Sequence, residues 1–85
     1  MKRKILFRRL LNKHFNNVAF SDFIDLIEAF GFSYLHTKGS HQIYTHPLVE
    51  DALNLQPRSG EAKPYQIRQF IELVEIYNLS LKDEN

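Results

Sequence analysis

Thr37-Lys38-Gly39-Ser40-His41-Gln42-Ile43-Tyr44 sets a histidine just past a glycine turn, and the elements on either side are assigned from it. Lys38-Gly39-Ser40 supplies a tight turn between two runs that alternate in the manner of strands. Before it, Phe32, Tyr34 and His36 alternate with Ser33, Leu35 and Thr37, so 32–37 reads as a strand. After it, 41–45 reads as the return strand, with Ile43 and Tyr44 on opposite sides. Pro47 ends that strand. Residues 48–52 read as a loop or short turn. Leu53-Asn54-Leu55-Gln56 alternates again as a third short strand, closed by Pro57.

Outward from this hairpin the period changes to that of helices. Phe20, Phe23, Ile24 and Ile27 follow i, i+3, i+4, i+7 spacing and give one apolar stripe. Ser21 is placed to cap this helix, with Asp22 and Asp25 in its first turn, where the helix dipole favours negative charge. Gly31 stands where a left-handed residue ends a helix, so 21–30 is predicted helical. On the far side, Pro64 suits the first turn of a last helix. Its buried stripe is Ile67, Phe70, Ile71 and Val74, and Asn78 marks its end. Residues 58–61 form a polar loop, and Lys82 onward reads as a frayed tail. In front of all this, residues 2–13 have helical spacing in Leu6, Phe7 and Leu10. Asn12, Asn16 and Asn17 then break the pattern. The expected architecture is α+β: α-β-β-β-α with an antiparallel three-stranded sheet, two helices on one face, and an N-terminal basic helical extension. The expected organisation is an extension over 1–19, one domain over 20–80 and a tail over 81–85.

Eighty-five residues suffice for a single domain with a modest core, and seven Phe and four Tyr can supply much of its packing. An apolar fraction of 44% with 25% charged residues argues against disorder. The chain has no cysteine, which excludes a disulfide framework and thiolate chemistry. No run approaches the length of a membrane span, and the start lacks the features of a secretory signal, so a cytoplasmic protein with no membrane partner is expected. The net charge of +1 conceals an asymmetry. Lys2, Arg3, Lys4, Arg8, Arg9 and Lys13 precede every acid in the chain. A basic arm on an acidic body suits phosphate backbones, and it equally suits pairing with the body's own acids.

His41 is the leading candidate for chemistry, because imidazole titrates near neutral pH and can both take and give a proton. Cleavage of RNA by its own 2′-hydroxyl suits such a group and requires no metal or cofactor. A histidine at the head of a strand is also, more commonly, structural or simply exposed. Lys38 is placed to steady a phosphate, or to be a solvated turn lysine. Gly39 serves the backbone geometry and Ser40 shapes the turn. Tyr44 could assist as a donor or a stacking surface, or serve packing alone. His41 and His46 fall on opposite faces of one strand and make no chelating pair, and His14, His36 and His46 read as surface or partly buried. No metal site is predicted.

With these residues in view, the sequence resembles the HicA family of toxins, the mRNA interferases of toxin–antitoxin systems. The resemblance spans about Phe20 to Leu79. It rests on the helix ending Gly31-Phe32, on Lys38-Gly39-Ser40-His41 with Ile43-Tyr44 and His46-Pro47 behind it, on the apolar strand ending at Pro57, and on Gly60 to Pro64 opening the last helix. It implies a fold similar to a double-stranded-RNA-binding domain, and a metal-independent endoribonuclease that cleaves mRNA, with His41 as the catalytic residue and no cofactor. It brings Lys38, Gly39, Ser40 and Arg58 forward as RNA or phosphate contacts, with Tyr44 in support. It implies a HicB-type antitoxin as partner, with DNA contacted through that partner and not by this chain alone. Two positions depart from the family's pattern: His36 stands where many members have arginine, and Arg58 where many carry a histidine shortly after the proline. Two other functions fit the same residues: an RNA-binding module without turnover, and an inactive toxin that only binds its antitoxin.

Overall fold

Gly39 and Ser40 close a two-residue hairpin between β1 (Ser33–Lys38) and β2 (His41–His46), with Lys38 and His41 as its last cross-strand pair. Gly39 has φ 64° while Ser40 keeps a negative φ, the pattern of a type II′ turn, whose twist matches that of the flanking strands. In the computed structural model, which describes residues 2–82, Pro47-Leu48 then turns the chain into β3 (Val49–Leu55). The sheet is antiparallel with order β1-β2-β3. The expected loop over 48–52 is thus corrected: most of it belongs to β3. Glu50, Asp51 and Ala52 carry no apolar alternation, so their strand conformation comes from pairing with β2 and not from their own preference.

Helices α1 (Arg3–Leu11), α2 (Phe20–Ala29) and α3 (Pro64–Ile76) complete the order. Each ends in a left-handed residue, Lys13, Gly31 and Asn78 respectively. Beyond Gly31, the Phe32 amide donates to the Ile27 carbonyl (3.1 Å) and the Gly31 amide to that of Glu28 (3.0 Å), satisfying carbonyls that the helix leaves open. The start of α2 departs from expectation. Ala19, not Ser21, is the cap residue, and it offers no side-chain bond. The Phe20 amide donates instead to the Gly60 carbonyl (2.9 Å), and Ala62 N–H to the Val18 carbonyl (2.8 Å). A distant turn thus does the capping.

Tyr44, Leu53 and Leu55 face the helices and are buried, as are Phe23, Leu26, Ile27 and Phe30 of α2 and its cap, and Ile67 and Phe70 of α3. Phe70 is the hub, with edge-to-face contacts to Phe23, Phe30 and Phe32 at 5.7, 5.2 and 6.0 Å. The basic segment is part of the same core. Leu6 and Leu10 of α1 are fully buried, Phe7 packs edge-on against Phe30 (4.9 Å), and Arg3 grips Asp25 with two bonds of 2.8 and 2.9 Å. α1 packs chiefly on α2 and α3, away from the open face of the sheet. After α3, Leu79 is buried and the Lys82 amide donates to the Ala29 carbonyl (2.9 Å), so the expected fraying does not begin at Lys82. The rest of that tail lies outside the described residues.

One side chain ties the sheet to the end of α2. His46 is buried; its Nδ1 accepts from the Leu48 amide (3.0 Å), so Nε2 carries the proton and donates to the Phe30 carbonyl (2.9 Å). A Cβ on Gly31 would lie 2.8 Å from that Nε2. Glycine is therefore required here twice over, by its φ of 101° and by the approach of His46.

Candidate functional site

The register sets which residues share the open face. In a two-residue hairpin, directly opposed residues point the same way. Lys38 opposes His41; His36 opposes Ile43, which in turn opposes Asn54. With Tyr44, Leu53 and Leu55 turned to the helices, these residues form the other face. A bulge at Leu35 is what brings His36 there. Tyr34 pairs with Tyr44, yet His36 pairs with Ile43, so the extra residue reverses the side on which His36 projects. Simple alternation puts Tyr34 and His36 on one face, and the bulge separates them. His36 consequently stands diagonally across from His41, the distance at which long side chains still meet.

His41 is held, not loose. Its Nδ1 lies 2.8 Å from Asn54 Oδ1, and a carbonyl oxygen can only accept, so the proton sits on Nδ1. Nε2 is left with its lone pair directed to the open side. Asn54 is itself fixed from beneath by α3. The buried Gln66 donates from Nε2 to the Asn54 carbonyl (3.3 Å) and accepts from the Gln56 amide through Oε1 (3.2 Å). Gln56 then extends the scaffold to the turn: its Nε2 donates to Ser40 Oγ (2.6 Å) and its Oε1 accepts from Lys63 Nζ (2.9 Å). The turn carrying His41 is thereby braced by β3 and by the segment entering α3.

The expected site residues divide. Lys38, Gly39, Ser40 and His41 are contiguous at the hairpin end. Tyr44 is not with them: it lies on the opposite face, 4% exposed, where burial, with Glu28 and Tyr34 adding, pushes its phenol above the ordinary value. It is a packing residue. Arg58 lies on a tight turn whose Arg58 and Glu61 backbones exchange two 2.9 Å bonds, and it lines a separate cleft with Lys63 and Tyr65. Asn54, Gln56 and Gln66 were missed from sequence. The only hint was that Asn54 alternates with Leu53 and Leu55, which puts a polar side chain outward two residues before Gln56. Among the described residues no group of three His, Asp or Glu side chains is placed to hold a metal ion, and no helix is long and apolar enough to cross a membrane.

Compared with known proteins, the chain matches the family model of the HicA toxin of bacterial toxin–antitoxin systems over residues 20–76. Neither the curated proteins nor the solved structures searched gave a match. The matched span begins with α2 and ends with α3, and so contains the whole sheet, the Gly39-Ser40 turn and His41. By this match and by its α-β-β-β-α core, the chain belongs to the HicA toxin family, whose members work as toxins within toxin–antitoxin pairs.

Proposed function

We propose that the protein is a metal-independent endoribonuclease that cleaves mRNA in the cytoplasm through acid–base catalysis at His41, and that a HicB-type antitoxin restrains it. The observation that carries the reading is the 2.8 Å bond from His41 Nδ1 to Asn54 Oδ1 on the open face. It leaves Nε2 as a proton acceptor held in one orientation, which is what a general base requires. Nε2 takes the proton of a ribose 2′-hydroxyl. The 2′-oxygen then bonds to the neighbouring phosphorus, and the bond from phosphorus to the 5′-oxygen breaks. The departing oxygen receives a proton from an imidazolium, either His41 returning the one it took or His36 on the same face. The products are a 2′,3′-cyclic phosphate and a 5′-hydroxyl. Lys38, directly opposite His41, meets the charge that builds on the phosphate oxygens.

The test is cleavage of one RNA by the wild type and by His41→Ala, with EDTA present throughout. Because His41 is at the surface, the variant is expected to keep its fold and its antitoxin binding while cleavage falls by at least about a hundredfold, the lower end for loss of a general base. Undiminished cleavage by the variant overturns the assignment. Salt-sensitive RNA binding by a wild type that never cleaves points instead to a binding module.

A further inference from the structure

The bracing network around His41 leads to a cleft that the proposed chemistry leaves unused. It has a volume of about 640 Å³ and is lined by Phe15, Asn16 and Asn17 after α1, and by Arg58, Glu61 and Ala62 to Tyr65 before and at the start of α3. Lys63 belongs to both regions: it lines the cleft, and its Nζ reaches Gln56, which binds Ser40. A single amide group thus separates the cleft's cation from the residue preceding His41. Tyr65 at the cleft is 63% exposed, unusual for a large aromatic, and its hydroxyl accepts from Gln66 Nε2 (3.3 Å). The ring is therefore presented to solvent yet tethered. The floor is apolar where Phe15 and Ala62 are buried, and the rim holds two cations, Arg58 and Lys63, against one acid, Glu61.

We infer that this cleft is a subsite for an unpaired nucleotide of single-stranded RNA, flanking the phosphate cleaved at His41. The inference rests on the proposed ribonuclease reading for its substrate class. A tethered, exposed ring offers a face on which any base can stack, while flanking cations take the phosphates. Duplex RNA does not fit this requirement, because its bases are already stacked on one another. The subsite also assigns a place to Arg58, which lies with the cleft and not with the Lys38–His41 pair, and it makes Lys63 the link between the two positions.

The experiment measures affinity for a single-stranded 12-mer whose 2′-hydroxyls are all methylated, so that binding is read without cleavage, and in parallel the cleavage of an unmodified RNA. Tyr65→Ala is expected to weaken 12-mer binding by roughly 5- to 140-fold, the range of one base–aromatic stack, and to raise KM with kcat kept. Tyr65→Phe keeps the stacking face but loses the tether to Gln66, and its affinity is expected to fall between those of the wild type and Tyr65→Ala. Arg58→Gln is expected to weaken binding and to flatten its salt dependence. Wild-type affinity in both Tyr65→Ala and Arg58→Gln overturns the subsite, as does a wild type that binds no 12-mer. So does a Tyr65→Ala protein that keeps its RNA affinity and loses its antitoxin, which makes the cleft a protein-docking surface. A wild type that binds the 12-mer in a Tyr65-dependent way but cleaves nothing supports the subsite and overturns the enzyme reading alone.

Discussion

At the scale of single residues, Asn54 is the side chain on which the proposed chemistry depends most after His41 itself. In that proposal it fixes which ring nitrogen carries the proton. Asn54→Ala leaves the strand pairing intact but frees the imidazole to rotate and to exchange tautomers. Cleavage is expected to fall by roughly ten- to a hundredfold, chiefly in kcat, since misorientation of a reacting group is costly. Asn54→Asp tests the same contact by charge. A carboxylate beside the ring favours its protonated form, so the acidic limb of the pH–rate profile is expected to move to higher pH. A profile unchanged in both variants would mean that the contact has no part in the reaction. His36→Gln supplies the companion measurement: if His36 delivers the proton to the leaving oxygen, the loss is largest on the acidic side of the profile, where an imidazole donor is protonated, and shrinks on the alkaline side, where the wild type lacks that donor too.

At the scale of elements, the junction between α2 and the sheet is the most constrained part of the molecule. His46→Ala removes two hydrogen bonds and a buried ring, at a cost of about 2–4 kcal/mol, or a fall in Tm of roughly 10–20 °C. Gly31→Ala is expected to be comparably harmful, since it combines an unfavourable φ with a 2.8 Å encounter with His46. The tie between α1 and α2 is weaker. Its hydrogen bond to Arg3 holds the Asp25 carboxyl below its ordinary 3.8, against a smaller opposing effect of burial. A depressed carboxylate contributes stability that is present above its unfolded value and is lost as pH falls through the folded one. With the two side chains 39% and 47% exposed, solvent screening limits this to about 1 kcal/mol or less. Asp25→Asn is expected to lower Tm by a few degrees at pH 7, with the difference closing below pH 3.8; an equal gap at pH 2 would place the effect elsewhere. Elements such as α2 and α3 were legible because their apolar stripes and end signals are local. The first half of β3 was not, because Glu50 and Asp51 owe their conformation to β2. That loss concealed the register, and with it the contact between His41 and Asn54, thirteen residues apart. The cap at Phe20 escaped for the same reason: its partner, the Gly60 carbonyl, lies forty residues away along the chain.

For the molecule as a whole, charge and chemistry are separated. Arg3, Lys4, Arg8 and Arg9 ride on α1, which packs against the other helices, whereas His41 lies on the far side of the sheet. At physiological ionic strength charges interact over only about 8 Å. Neutralising Lys4 and Arg8 together to Gln is therefore expected to change KM for RNA less than twofold at 0.15 M salt, with a larger effect in dilute buffer. Lys38→Gln, one charge beside His41, is expected to lower kcat/KM at least tenfold at either salt concentration, because it acts on the charge of the transition state. A double variant that matches Lys38→Gln in its loss would show that α1 contacts substrate directly. All six residues of β1 are exposed, including Lys38 at its end beside His41. On the proposed reading an antitoxin that covers this face takes His41 out of reach of RNA, and cleavage is expected to fall in step with added antitoxin to a floor at a fixed ratio of the two chains; cleavage that persists at antitoxin excess would place the antitoxin elsewhere.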